Sequence, residues 1–164
     1  MNDQSQAQEW ENVELMTDDQ IDYSLLPETQ LYQLGSGSDV YVGQSALREL
    51  HRRGSGRALE LAIHILNEPD DDAFLKATAL RVLFESDERQ ALDFMRSHIE
   101  NSPGAVVNKM MELLAYPTDI DQPPTPDEIE VARMIKSRLP AGFADADAIR
   151  VDVEHDFSLR FSEA

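Results

Sequence analysis

The chain contains no cysteine. That excludes a disulfide framework, a thiolate metal site and a cysteine nucleophile. Long apolar runs are missing too: nowhere do 18 consecutive apolar residues occur, so no bilayer-spanning helix is predicted. The opening Met-Asn-Asp-Gln-Ser-Gln has neither a basic region nor an apolar stretch, so no secretory signal is expected and a cytoplasmic protein is. Bases are scarce, 14 Lys and Arg against 32 Asp and Glu, for a formal net charge of −18. Such a field repels phosphate backbones and anionic membranes, so nucleic acid and membrane are not expected partners, despite Arg48, Arg52, Arg53 and Arg57. It favours a basic protein partner.

Patterns that carry chemistry are absent as well. His51, His64, His98 and His155 are separated, and none belongs to an H-x-x-x-H or H-x-x-E-H arrangement. Asp70-Asp71-Asp72 lacks the glycine and distant glutamate of a calcium loop and reads instead as a helix cap. Gly35-Ser36-Gly37 has no lysine and follows a helix, which makes it a hinge. There is no G-x-S-x-G elbow. The sequence therefore predicts no catalytic residue, no metal and no cofactor, and a non-enzymatic protein.

What is present is one pattern written twice, 33 positions apart. Ser45-Ala46-Leu47-Arg48-Glu49-Leu50 returns as Thr78-Ala79-Leu80-Arg81-Val82-Leu83, and Arg57-Ala58-Leu59-Glu60-Leu61 as Gln90-Ala91-Leu92-Asp93-Phe94. Upstream, Asp39 and Tyr41 correspond to Asp72 and Phe74. Each unit reads helix-turn-helix. In the first, Tyr41, Ala46, Leu47 and Leu50 fall on one face, Gly54 and Gly56 end the helix, and Ala58, Leu59, Ala62, Ile65 and Leu66 form a second stripe. In the second, Phe74, Ala77, Leu80, Leu83 and Phe84 give one stripe and Ala91, Leu92, Met95 and Ile99 the other, with Ser86 as N-cap between them. Leu47 and Leu80 hold equivalent places, so both are expected to be buried.

The flanks extend the pattern less regularly. Residues 1–9 are expected to be disordered, and Trp10, Val13, Leu15 and Met16 to dock on the helices. Thr17 to Leu34 reads as a degenerate unit: Thr17-Asp18-Asp19-Gln20 has capping-box form, and Pro27 suits the first turn of a helix through Leu34. Ser102-Pro103 begins another helix, carrying Val106, Val107, Met110, Met111, Leu113 and Leu114. Thr125-Pro126-Asp127-Glu128 begins its delayed partner, carrying Ile129, Ala132, Ile135 and Leu139. Helices are thus predicted over 39–54, 57–67, 71–85, 88–100, 103–116 and 126–139. From Ile149 to Phe161 apolar residues alternate almost strictly, a strand period, which predicts a short β or extended segment.

The Ala-Leu-Arg-x-Leu core, with Ala-Leu opening the next helix and an acidic turn between units, resembles the short HEAT-like repeats of bacterial proteins. The resemblance implies an all-α fold: an α-solenoid of three to four helix pairs in a single domain spanning 1–164. It also implies a protein-binding module, including immunity proteins that neutralise a basic nuclease or other toxin. A structural adaptor or oligomer subunit is the alternative. In stacked repeats the second helices line one face, so partner contacts are expected at Glu60, His64, Asp93, Arg96, Glu128 and Glu130. The loop residues Asp119 and Asp121 add carboxylates at the rim.

Overall fold

Asp39 and Asp72, one period apart, open their helices by the same bonds. The Asp39 carboxylate accepts from the N–H groups of Tyr41 and Val42, both at 3.0 Å. Asp72 accepts from Phe74 at 2.7 Å and Leu75 at 3.3 Å. Each satisfies donors that the first helical turn leaves unpaired. A computed structural model describes residues 16–69, 71–117 and 121–163. The expected disorder of 1–9, and the docking expected of Trp10, Val13 and Leu15, fall outside the described residues.

The fold is all-α. Among the described residues eight α-helices follow in order: α1 Glu28–Gly35, α2 Val40–Arg52, α3 Gly56–Asn67, α4 Ala73–Ser86, α5 Glu88–His98, α6 Gly104–Ala115, α7 Pro126–Arg138 and α8 Val151–Arg160. All six helices predicted between 39 and 139 are present. Gly54 adopts φ +66° just beyond α2, a left-handed conformation that glycine enters without a Cβ penalty. Thr125 makes the predicted capping box: its N–H donates to Glu128 Oε2 at 2.6 Å, and its Oγ1 accepts from Glu128 N–H at 3.2 Å. Between α4 and α5 the cap is Asp87 instead of Ser86, its side chain accepting from Gln90 N–H at 3.0 Å.

Packing follows the repeat. α2 touches α4, α4 touches α6 and α6 touches α8, while α1 packs on α3 and α5 on α7. The central helix α4 contacts α2, α3, α5 and α6. Equivalent positions have equivalent burial: Ala46 with Ala79, Leu47 with Leu80, Leu50 with Leu83, Ala58 with Ala91 and Ala62 with Met95 are all buried. Of the predicted inner stripes of the two units, Leu59 and Phe84 are only partly buried and two residues are exposed. Tyr41 is 71% exposed and Phe74 59% exposed. Each lies at the second helical position, six residues before Leu47 or Leu80, which at about 100° per residue turns its side chain roughly 120° away from theirs.

The C-terminal segment corrects the strand expectation: Val151–Arg160 is a helix, and the described residues contain no strand. Its alternating apolar residues include a second spacing. Val153, Phe157 and Phe161 recur every fourth position and are buried, whereas Val151 is 82% and Leu159 64% exposed. A period of four is one helical face, and the remaining members of the alternation are left in water. Contacts from neighbouring helices complete the docking. Tyr116 Oη donates to Asp156 at 2.6 Å, Arg150 N–H donates to Asn108 Oδ1 at 2.8 Å, and Lys136 Nζ donates to the Phe161 carbonyl. α6 likewise gets its cap from a distance. The Asp145 carboxylate accepts from Gly104 N–H at 2.7 Å and Ala105 N–H at 3.0 Å, so close to Gly104 that a Cβ there would lie 2.8 Å from its oxygen.

The N-terminal turns, Asp18–Gln20 and Tyr23–Leu25, are held to α2 through a buried acid. Glu49 accepts from Arg52 Nε and from Arg53 Nε, both at 2.7 Å. Arg53 in turn donates to the carbonyls of Leu26 at 2.8 Å, Tyr23 at 2.9 Å and Ser24 at 3.0 Å. The bond from Arg52 lowers the Glu49 pKa from its ordinary 4.5 to about 2, burial opposing and Arg53 assisting. A carboxyl with a depressed folded-state pKa stabilises the fold above its unfolded value and loses that contribution as pH falls through its folded value. Glu49→Gln is therefore expected to cost about 1–3 kcal/mol at neutral pH in urea unfolding. The difference from wild type should shrink as pH drops from 4.5 towards 2. A difference independent of pH contradicts this role.

Candidate functional site

The carboxylates expected to form a partner face sit on α3, α5 and α7, and one arginine organises most of them. Arg96 on α5 donates through Nη1 to Asp93 at 2.7 Å, through Nη2 to Asp127 at 2.7 Å and through Nε to Glu130 at 2.9 Å. Asp93 is one turn away on the same helix. Asp127 and Glu130 lie on α7, so the guanidinium staples two helices. Arg96 is itself largely covered, with a side chain 23% exposed, while the side chains of Asp93, Asp127 and Glu130 are 60–65% exposed. A carboxylate has about four lone-pair sites, and each of these accepts one bond from Arg96, so acceptor capacity remains on exposed side chains. Burial disfavours the Arg96 charge, but the bond to Glu130 and the fields of Asp127, Glu130 and Asp93 hold its pKa above the usual value.

Other predicted contact residues are distributed differently. Glu60 and His64 are exposed on α3, and His64 Nδ1 stands 3.6 Å from Glu68. Glu128 is buried in the α7 capping box, where its carboxylate serves the helix start. Asp121 is exposed in the turn before α7, and Asp119 lies outside the described residues. Beside the Arg96 cluster, a pocket of about 250 Å³ opens between α3 and α5, lined by Ile63, Leu66, Phe94 and Asp93 among others. The face therefore combines fixed carboxylates with an apolar recess.

The sequence reading missed Asp127 as a member, having assigned it only to a helix start. The signal was there: Asp127 and Glu130 follow Arg96 by 31 and 34 positions, close to the repeat period. It also missed a groove of about 380 Å³ along α2, α4 and α6, lined by Arg48, Arg52, Arg81 and Lys109 together with Glu85 and others. Burial lowers the Lys109 pKa; Glu112, which accepts from its ammonium at 2.6 Å, opposes that shift, and Arg81 reinforces it.

Among the described residues, no group of three or more His, Asp or Glu side chains is arranged to hold a metal ion. Nor, among the described residues, is any helix long and apolar enough to cross a membrane. In comparison with known proteins, no family model, no curated protein and no solved structure matches the chain.

Because Arg96 is the only cation bonded to Asp93, Asp127 and Glu130 among the described contacts, Arg96→Gln should leave three carboxylates repelling one another. Thermal melting is expected to show a lower midpoint for this variant, with the gap from wild type narrowing as salt is added. An unchanged midpoint at low salt would mean that the staple contributes nothing to the α5–α7 contact.

Proposed function

We propose that this chain is a non-enzymatic protein-binding module, a short α-solenoid of HEAT-like helix pairs whose α3, α5 and α7 face holds a basic protein partner. The observation that carries the reading is the Arg96 cluster. Three exposed carboxylates are fixed in place by one partly covered guanidinium, so a cationic partner meets acceptors whose side-chain freedom is already restricted. The recess at Ile63, Leu66 and Phe94 offers an apolar anchor point beside them. Glu60, exposed on the neighbouring helix, extends the negative field and favours fast association. The paired 33-residue units and the helix contacts that follow them support the solenoid reading.

Within this class, an inhibitor that sequesters a basic toxin such as a nuclease is the form the acidic face suits best, carboxylates standing where the toxin would otherwise bind phosphates. A structural adaptor is the second reading, favoured by the groove along α2, α4 and α6.

The test begins with capture of the partner from a lysate of the source cells and its identification by mass spectrometry. Its affinity is then measured for wild type and for a variant combining Glu60→Gln, Asp93→Asn, Asp127→Asn and Glu130→Gln. Binding is expected to weaken at least about tenfold, and its salt dependence to flatten. Unchanged affinity with unchanged salt dependence refutes the assignment of this face.

A further inference from the structure

The side of the molecule formed by α2, α4 and α6 carries two features that the acidic face does not explain. The first is a pair of bare aromatic side chains. Tyr41 and Phe74, 71% and 59% exposed, occupy equivalent places at the starts of α2 and α4. These starts lie side by side, because a Cβ added to Gly43 in the first turn of α2 would stand 3.3 Å from Leu75 Cδ1 in the first turn of α4. Isolated exposed apolar residues are ordinary on protein surfaces, but here two aromatics stand on adjacent helix starts.

The second feature is the basic groove. Arg48 follows Tyr41 by seven positions and Arg81 follows Phe74 by seven, a spacing that keeps each arginine on the same helical stripe as its aromatic, about 10 Å further along. Lys109 on α6 extends the row. The local balance is positive: Arg48, Arg52, Arg81 and Lys109 stand with Glu85 in the lining and with Glu49 and Glu112 paired to them. Glu49 is shared by Arg52 and Arg53, Glu112 by Arg81 and Lys109, and Glu85 accepts from His51 at 2.8 Å. Arg48 is exposed and forms no ion pair with the described residues. A chain of net charge −18 has thus gathered cations on one row of helices and left Arg48, in the groove, without a counter-charge.

We propose that this face is a docking surface for an acidic protein segment bearing apolar anchors, its carboxylates meeting Arg48, Arg81 and Lys109 and its anchors covering Tyr41 and Phe74. A small anion would fill the groove and leave the aromatics uncovered, whereas an extended chain spans both. A nucleic acid presents a train of phosphates, and the local excess of cations is too small, and the surrounding field too negative, to neutralise one. Aromatic and arginine side chains together are also the composition that dominates protein-binding hot spots. The inference is independent of the acidic face: it stands on different helices and on charges of the opposite sign.

The experiment is a titration of the isotope-labelled full chain, followed by NMR, with three probes: a short peptide of repeated Glu-Glu-Leu, its Gln-Gln-Leu counterpart and a short oligothymidylate. The acidic peptide is expected to bind saturably, with shifts concentrated at Tyr41, Arg48, Phe74 and Arg81. Binding should weaken at least about tenfold for the Gln-Gln-Leu peptide and about tenfold in each of Arg48→Gln and Phe74→Ser. Both substituted side chains are exposed, and unchanged melting temperatures confirm that the variants are folded. The proposal is overturned by absence of saturable binding, by wild-type affinity in either variant, by tighter binding of the oligothymidylate, or by self-association of the chain that Arg48→Gln abolishes.

Discussion

None of the eight helices exceeds 14 residues, and α1 has eight. Helices shorter than roughly 12–15 residues are marginal on their own in water, because nucleation costs several ordered residues for one hydrogen bond. Everything in this fold therefore depends on α4 being buried between its neighbours. Leu80 and Ala79 are fully buried, Leu75 reaches Gly43, and Leu83 lines the recess between α3 and α5. Truncating a fully buried leucine such as Leu80 removes both transfer energy and packing contacts, which explains why the same residues stand at the same places in both units.

Charge is divided along the same architecture. Ion pairs join helices roughly one period apart: His51 with Glu85, Arg81 with Glu112, Arg96 with Asp127 and Glu130. Exposed pairs of this kind contribute little stability each. Their consequence is spatial. Carboxylates collect around Arg96 on α5 and α7, and cations collect at Arg48, Arg81 and Lys109 on α2, α4 and α6. Two faces of opposite sign on one small protein are suited to an adaptor as well as to an inhibitor.

Much of this was legible in the sequence because it is local. The Asp39, Asp72 and Thr125 caps, the Gly54 stop and the burial of Leu47 and Leu80 all follow from residues within a turn or two of one another. What was not legible depends on distance or on competing periods. Asp145 caps α6 from 41 positions away, and no local pattern announces it. The C-terminal alternation contains a period of two and a period of four at once. Only the surface of α6 beneath Val153 and Phe157 decides between them. The candidate acidic face was half visible: Asp93, Arg96 and Glu130 were placed on it, while Glu128 turned inward and Asp127 took its position. The basic groove escaped because a net charge averages over the faces on which charges are sorted.

The central claim is that α4 anchors a single cooperative core, and native-state hydrogen exchange measures this directly. Amides of α4, together with those of the buried turns of α2 and α6, should exchange only through global unfolding. They should share one free energy of opening equal to that from urea denaturation, with α1 and α8 opening at lower cost. A lower free energy for α4 than for α2 or α7, or separate plateaus for the two repeat units, would contradict the account.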